Sequence, residues 1–161
     1  MPDRKTSAPS DPKAQTAKLS AALTPYTSYL LWQATSRAQE RIRGALAPFG
    51  LRIPHHSVMR VLAEGARSQA ALADLLQTDK MMMVRVVDDL EAARLVRREP
   101  SVRDRRAYDV TITPFGEDRL RQTHALMQTV DETFLGALSD AEQIQFRALL
   151  LRIIRAHDDA T

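Results

Sequence analysis

The stretch Leu95–Gly116, which reads LVRREPSVRDRRAYDVTITPFG, decides how this chain folds. It begins apolar, turns basic, breaks at Pro100 and Ser101, and then alternates apolar and polar residues from Tyr108 to Ile112. Such alternation is typical of a half-buried strand, and two strands around an arginine-bearing turn make a basic β-hairpin. Guanidinium groups at a hairpin tip suit DNA phosphates and the minor groove, although a solvated surface hairpin is the alternative. The segment just upstream decides between the two.

Two short helices are predicted immediately before this hairpin. Ser68 is a good N-cap for SQAALADLLQ, the third helix of the chain, and Asp79 is a good N-cap for the fourth, KMMMVRVVDDLEAARLV. A short polar turn, Gln77 and Thr78, separates them. Helix pairs and basic hairpins are each common, but in this order and at this separation they indicate a winged helix-turn-helix.

Longer helices are predicted on the N-terminal side. The first has Pro25 in its first turn and ends at Gly50, and a second, shorter helix runs from Pro54 to Gly65. Apolar residues recur along the first helix at spacings of three or four, which marks one buried stripe.

Two more helices follow the hairpin. Thr113 caps a fifth helix, and Ser139 begins a sixth in a capping box with Glu142. Both carry more apolar surface than one neighbour within the chain needs, so we expect a homodimer with two-fold symmetry. A monomeric helical layer is the alternative.

These elements predict a mainly α-helical chain with a small β-hairpin wing, that is, a winged helix-turn-helix joined to a helical dimerisation module. Residues 54–113 form the DNA-binding domain, and residues 24–53 and 114–161 form the dimerisation region. Residues 1–23 form a flexible or partly helical N-terminal arm, in which the composition permits a short helix from Lys13 to Leu23.

Composition narrows the possible functions. The chain has 161 residues and a net charge of only +3, so the six arginines from Arg94 to Arg106 are a better guide to DNA than the overall charge. There is no cysteine, which excludes disulfides, thiolate catalysis and cysteine-ligated zinc. No apolar run reaches the length of a membrane span and no signal-peptide core is present, so we expect a cytoplasmic protein without a membrane partner.

Several of these segments together resemble the MarR-type (multiple antibiotic resistance) transcriptional regulators. The resembling segments are Leu72-Ala73, DKMMMVRVVDDLE from Asp79, LVRR from Leu95, DRR from Asp104 and TPFG from Thr113. The resemblance runs from residue 25 to residue 157, and DRR followed by an alternating strand and T-P-x-G is its most specific part. It implies an α-helical homodimer whose terminal helices interlock and whose two winged domains read a palindrome.

Two features depart from the family pattern. Arg94 stands where the family usually has glycine, which costs turn flexibility or adds a phosphate contact. Met81 and Met82 stand where the family often has Ser or Thr. A hydroxyl can hydrogen-bond a base edge, whereas methionine offers only apolar contact, for example to a thymine methyl group. The family's base preference is therefore not carried over to this chain.

Ten residues are candidates for DNA contact: Ser68, Gln69, Lys80, Met81, Met82, Arg85, Arg103, Asp104, Arg105 and Arg106. Arg106 is expected to enter the minor groove at the wing tip, with Asp104 orienting its guanidinium, while the other two wing arginines contact phosphate or solvent. Met81 and Met82 lie early in the fourth helix, where a recognition helix meets base edges. Arg85 either contacts DNA or braces the helix internally.

A small-molecule pocket is predicted around Trp32, His55, His56 and Met59. The family resemblance implies a pocket between the dimerisation helices and the winged domain that often takes small aromatic or phenolic acids. His55 and His56 open the second helix, where imidazole and free backbone N–H groups can meet an anion. The alternative is that this histidine pair only caps the helix or lies on the surface.

No other chemistry is indicated. The chain has no nucleophile elbow, P-loop, Gly-rich dinucleotide turn or metal-ligand spacing, so we expect no enzyme activity, cofactor or metal site. The competing function is a non-specific architectural DNA-binding protein without a ligand. Such proteins tend to be more basic and have little need of an apolar pocket, so a sequence-specific regulator is favoured. Because no spare domain for polymerase contact is visible, we expect repression rather than activation.

Overall fold

The computed structural model describes residues 19–101 and 107–158 and confirms a mainly α-helical fold with a small antiparallel sheet. The helices are α1 (Thr27–Leu46), α2 (Ile53–Leu62), α3 (Gln69–Leu75), α4 (Lys80–Ala92), α5 (Pro114–Phe134) and α6 (Asp140–Asp158). The strands are β1 (Arg67–Ser68), β2 (Val96–Pro100) and β3 (Tyr108–Ile112), in the order β1-β3-β2. The predicted hairpin is β2 and β3. Strand β1 was missed because two residues are too few to show an alternating pattern.

The chain divides into two units, with the boundary between Thr35 and Ser36. In the first unit, residues 21–25 form a turn, so the predicted short helix ending at Leu23 is wrong there. The earlier part of that prediction lies outside the described residues. On the first turns of α1, the rings of Tyr29 and Trp32 contact each other with 6.1 Å between their centroids.

The first helix also ends earlier than predicted. α1 stops at Leu46, and Ala47–Phe49 form a 3-10 turn that is closed by Gly50 at φ +67°. Pro48 accounts for the break, because proline has no backbone N–H and its ring clashes with the preceding helical turn. Pro25 lies in the turn before α1 rather than in its first turn.

The predicted helix starts are confirmed by their capping bonds. The side chains of Ser68, Asp79 and Thr113 each accept a hydrogen bond from the backbone N–H three residues later, at 2.8 to 3.2 Å. At α6 the backbone N–H of Ser139 donates to the Glu142 carboxylate at 2.8 Å, which is one of the two bonds of a capping box, while the Ser139 hydroxyl donates to the same carboxylate at 2.7 Å. These bonds are local in sequence, which is why sequence alone could place them.

A single hydrophobic core in the second unit holds the helix pair and the hairpin together. Its side chains that are at most 2% exposed come from α1, α2, α3, α4, β2 and β3: Leu46, Val58, Met59, Leu62, Leu72, Ala73, Met83, Val87, Leu90, Val96 and Val110. Helix α4 and the hairpin therefore pack on the same core, and neither can move far without the other.

The turn from α4 into β2 is built around Arg94. The fourth helix was predicted to continue to Val96 but ends at Ala92, because Arg94 adopts a left-handed conformation at φ +60°. The backbone N–H of Leu95 donates to the Leu90 carbonyl at 2.9 Å, and that of Arg94 donates to a carbonyl nearer the helix end. This bond pattern is the Schellman motif, which favours glycine at the left-handed position.

We expect Arg94→Gly to stabilise the fold by about 1 kcal/mol, because it removes the cost of a side chain in the left-handed region. Urea unfolding at a fixed protein concentration measures the change. Arg94→Ala is the control, since it removes the guanidinium but keeps a Cβ and should give no such gain. Equal unfolding midpoints for the glycine and alanine variants would contradict the explanation.

The T-P-x-G segment joins the start of α5 to the same turn. The Thr113 hydroxyl donates to the Arg94 carbonyl at 2.7 Å while accepting the Gly116 N–H. A Cβ on Gly116 would overlap the Leu95 carbonyl oxygen and lie 2.8 Å from Ile112 Cγ1. Glycine at this position therefore allows the fifth helix to begin directly against the base of the hairpin.

Candidate nucleic-acid interface

Helix α4 exposes one face near its N-terminus and buries the other. The exposed side chains include four of the predicted DNA contacts: Lys80, Met81, Met82 and Arg85. The buried side chains are Met83, Val86, Val87 and Leu90. The core thus fixes the orientation of the helix, and its free face combines two cations with two thioethers. Arg85 Nη2 lies 3.9 Å from Met81 Sδ, so its guanidinium lies along this free face.

Ser68 and Gln69 lie at the start of α3. The Ser68 hydroxyl oxygen is occupied as an acceptor by the helix cap, at 3.2 Å from the Ala71 nitrogen, but its hydrogen can still be donated. The Gln69 side-chain nitrogen is buried and has no hydrogen-bond partner in the part of the chain that the structure describes. Ser68 therefore retains a hydrogen that it can donate to a phosphate oxygen, whereas the Gln69 amide must turn outward before it can reach DNA.

The structure describes the base of the wing but not its tip. Arg103, Asp104, Arg105 and Arg106 lie outside the described residues, so their predicted contacts stay predictions from sequence. Below the tip, the Ser101 N–H donates to the carbonyl of residue 107 at 2.9 Å, which closes the hairpin.

Arg98 links the wing to helix α4. Its guanidinium bridges Asp88, with Nη2 to Oδ1 at 2.5 Å, and Glu91, whose carboxylate also accepts the Arg98 backbone N–H at 3.0 Å. Burial alone would lower the pKa of Arg98, but the hydrogen bonds to the two carboxylates outweigh it and raise the pKa. This role was not predicted from the sequence. Two acids three residues apart on one helix face were the available signal.

A second polar cluster links α4 to the start of α2. The Asp89 carboxylate pairs with the Arg52 guanidinium and lies 3.3 Å from His55 Nε2. The Arg52 backbone N–H donates to His55 Nδ1 at 3.1 Å, so the neutral ring carries its proton on Nε2 and donates it to Asp89. This cluster and the Arg98 bridge leave α4 tied to its neighbours on two sides.

His55 makes stability depend on pH. Burial lowers its pKa below the ordinary value, Arg52 lowers it further, and Asp89 offsets only part of the change. Because the unfolded chain then binds this proton more readily than the folded chain, stability should fall as the pH drops through about 6.5. His56, whose pKa is also lowered, should contribute in the same direction.

Urea unfolding across this pH range checks the prediction. His55→Asn and His56→Asn each remove one titrating ring. The free energy of unfolding should therefore decrease less on acidification in each variant than in the wild type, and least in the double variant. A wild-type slope that persists in the double variant would show that other groups are responsible.

The four predicted ligand residues are placed in different surroundings. Trp32 belongs to the first unit and is 61% exposed. Met59 has no exposed surface and lies in the core. His55 contacts the Asp89 carboxylate of α4. His56 is half-buried, and its Nε2 has no hydrogen-bond partner among the described residues.

A groove of about 370 Å³ lies beside His56. It is lined by α1, α2 and α5, through Ile42, Leu46, Ile53, His56, Ser57, His124, Met127, Gln128, Val130 and Asp131. Burial lowers the pKa of His56, and the nearby Arg60 and His124 lower it further, so its ring is neutral at neutral pH. The groove combines apolar walls with several polar groups, among them Asp131, and small-molecule sites commonly combine the two kinds of lining.

Two absences in the described residues bear on the site. Within residues 19–101 and 107–158, no cluster of three or more His, Asp or Glu side chains could hold a metal ion. Over the same ranges, no helix has the length and apolar character needed to cross a membrane.

Comparison with known proteins places this arrangement in a family. A model of the MarR family matches residues 49–107, which include α2 to α4 and strand β2. The transcriptional regulator HosA of Escherichia coli is 34% identical over 104 residues, which are 64% of this chain and 77% of HosA. The chain belongs to the MarR family. Its members regulate transcription by binding DNA, and α3, α4 and the hairpin form the winged helix-turn-helix of this MarR protein.

Two further relatives are relevant to the site. A putative transcriptional regulatory protein for the hcr operon of Thauera aromatica is 35% identical over 62% of this MarR chain, and the match spans 61% of that protein's own length. The Mycobacterium tuberculosis MarR family protein Rv2887, solved with salicylic acid, superposes with a TM-score of 0.66 and 27% identity over 79% of this chain and 95% of that chain. In the curated comparison Rv2887 is a transcriptional repressor.

Proposed function

We propose that this protein is a sequence-specific transcriptional repressor that binds an inverted-repeat operator as a homodimer and is released by a small anionic aromatic ligand. The observation that carries the proposal is the free face of α4, which presents Lys80, Met81, Met82 and Arg85 while its opposite face is fixed in the core. A helix anchored in this way can enter the major groove in a defined orientation.

The chemistry of each candidate side chain suggests how it contacts DNA. Lys80 and Arg85 bind phosphate, which contributes affinity without sequence preference. Met81 and Met82 contact thymine methyl groups, which contributes selectivity. Arg106 enters the minor groove while Arg103 and Arg105 contact phosphate or solvent, which rests on the sequence alone. Ser68 donates to phosphate from the start of α3, and the buried Gln69 amide turns outward to do the same.

The exposed apolar face of α6 supports a homodimer. None of its side chains from residue 140 to residue 157 is buried, although the helix is rich in large aliphatic residues. Those that are 41 to 68% exposed are Ile144, Leu149, Leu151, Ile153 and Ile154. Apolar surface of this extent is costly in water, and a second copy covers it with matching surface. Light scattering at micromolar concentration should give the mass of a dimer, and a monomer mass would contradict the proposal.

Footprinting separates a specific regulator from an architectural protein. A homodimeric winged protein should protect one short inverted repeat near its own gene, with half-sites about one helical turn, roughly 34 Å, apart. An architectural protein would coat duplex DNA without a boundary. Uniform protection would therefore favour the second function.

Replacing both Met81 and Met82 with Ala should reduce discrimination between operator and random DNA more than it reduces non-specific affinity. The reason is that the thioethers contact bases, whereas the neighbouring cations contact phosphate. Gel-shift titrations of both DNAs at one salt concentration measure the two affinities. Lys80→Ala is the matched control, since losing a phosphate contact should weaken both complexes alike. Equal losses for the methionine variant would show that these side chains do not read bases.

A ligand is proposed for the groove beside His56. The complex of Rv2887 with salicylic acid supports an anionic aromatic molecule, and the apolar walls with an unpaired imidazole suit one. Of the four residues predicted from sequence, His56 is the one that lines this groove. For release, the ligand must bind the DNA-incompetent arrangement more tightly than the DNA-bound one.

A thermal-shift screen of aromatic carboxylates, followed by gel shift with the hits, tests this part of the proposal. His56→Ala should remove ligand-driven release, and His157→Ala on α6, outside the groove, should not. Ligands that raise the melting temperature without ever displacing DNA would show that this groove is not the switch.

A further inference from the structure

Within the part of the chain that the structure describes, the most exposed methionines lie on helix α4. Among the described methionines, Met81 and Met82 are 68% and 48% exposed, whereas Met59 and Met83 are 0% and 1% exposed. Met127 is only partly exposed. The sequence has no cysteine, so no thiol competes with these thioethers for an oxidant.

Each exposed sulfur also has a hydrogen-bond donor beside it. The Thr78 hydroxyl donates to Met82 Sδ at 3.3 Å, and Arg85 Nη2 lies 3.9 Å from Met81 Sδ. A thioether sulfur is a weak acceptor, but a sulfoxide oxygen on the same atom is a strong one. The surroundings of both side chains are therefore better suited to the oxidised form than apolar surroundings would be.

The two side chains also border an open groove of about 550 Å³ that is lined by both acids and arginines, including Asp79 and Arg52. A small neutral oxidant can enter such an open groove of mixed charge without an electrostatic barrier. The buried sulfur of Met83, on the opposite face of the same helix, is closed to it.

We propose that Met81 and Met82 form an oxidation-sensitive modification site, at which a hypohalous acid converts the thioethers to sulfoxides and thereby releases DNA. This inference rests on the proposed function, because it requires that the free face of α4 contacts bases.

The chemistry needs only the oxidant and water. A sulfur lone pair attacks the chlorine of hypochlorous acid and breaks the Cl–O bond, which forms a chlorosulfonium ion and hydroxide. Water then attacks sulfur, chloride leaves and two protons are lost, one of which neutralises the hydroxide. In sum, a thioether and HOCl give a sulfoxide, chloride and one proton; sulfur is oxidised by two electrons and chlorine is reduced by two.

The oxidised side chains should bind DNA poorly for two reasons. A sulfoxide is polar and hydrated, so packing it against a thymine methyl group costs bound water that a thioether does not hold. In addition, the Met81 sulfoxide can accept a hydrogen bond from Arg85 and so hold its guanidinium away from phosphate. We expect the dissociation constant for operator DNA to rise about tenfold or more.

The experiment treats the full chain with graded amounts of hypochlorous acid and quenches with excess free methionine, which also removes N-chloro adducts. Peptide mass spectrometry locates the added oxygen, and gel shift measures operator affinity. We expect oxygen first at Met81 and Met82, and loss of affinity in step with it. Methionine sulfoxide reductases A and B together should restore binding, and the melting temperature should hardly change because the site is on the surface.

Met81→Leu with Met82→Leu is the test variant, and Met127→Leu is the matched control. The readout is the ratio of dissociation constants with and without oxidant for each protein, so that a change in untreated affinity cancels. The ratio should fall to near one in the double variant and stay at the wild-type value in the control.

Three results would overturn the inference. One is oxygen appearing first at other methionines, and another is an unchanged ratio in the double leucine variant. The third is a protein doubly oxidised at this pair that still binds operator at full affinity, which would leave the proposed function standing. Failure of the untreated protein to bind any operator would instead remove the proposed function, and this inference with it.

Discussion

Gly116→Ala is expected to destabilise the fold by about 3 kcal/mol, since the added carbon has no space in a tightly packed junction. Its Cβ would overlap the Leu95 carbonyl oxygen, which is backbone and cannot rotate away, and it would also press on the Ile112 side chain. Relief requires α5 to shift away from the hairpin and strains the Thr113 bond to the Arg94 carbonyl. Urea unfolding of the full chain at one protein concentration measures the loss.

Gly44→Ala is the matched control for this substitution. Gly44 lies inside α1, and a Cβ there meets no atom within 4 Å. Because alanine is more favourable than glycine in the interior of a helix, the control should stabilise the protein by about 0.5 to 1 kcal/mol. A Gly116→Ala protein within about 1 kcal/mol of the wild type would show that the junction is looser than its geometry indicates.

Arg98→Met should weaken operator binding by about 1 to 3 kcal/mol although Arg98 is proposed to act without touching DNA. Its removal frees the wing from α4 and leaves Asp88 and Glu91 as unpaired like charges beside the DNA-reading face. Arg98→Lys should recover only part of the affinity, because a single ammonium group cannot span both carboxylates as the planar guanidinium does.

The salt dependence of binding distinguishes positioning from direct contact. If Arg98 only positions the wing, the slope of log affinity against log salt should be unchanged in the Met variant. If Arg98 itself contacted phosphate, the slope would fall by about one unit, and the positioning role would be wrong. Arg121→Ala is the control, because its pair with Asp118 lies exposed on α5 and its loss should matter little.

Much of this architecture could be predicted from local signals in the sequence. The caps at Ser68, Asp79 and Thr113 bond to backbone three residues away. The alternation in β3 places Val110 in the core, although Tyr108, two residues earlier, is exposed. Such features depend on neighbours in the chain, so they are visible without tertiary structure. The DNA-contact candidates on α4 were found in the same way, from their place at the start of a capped helix.

Two features were not predicted because the information that decides them is not local in the sequence. One depends on a pairing partner far away in the chain, and the other on a backbone conformation that is unfavourable by itself. Strand β1 exists because β3 pairs with it, across more than forty residues of chain. The end of α4 at Ala92 is closed by a left-handed arginine at residue 94, a conformation that is disfavoured for a residue with a Cβ and so is not expected from the sequence.

The sequence by itself determined the order of elements, the capped starts of the recognition helices and the chemistry available on α4. Only the tertiary structure decided which charges pair, since Arg98 and His55 meet acids of α4 through folding rather than proximity in sequence. It likewise decided that His56 borders a groove while Met59 is enclosed. The physical reason is that caps and alternation come from short-range bonds, whereas ion pairs, grooves and burial depend on how separate elements pack.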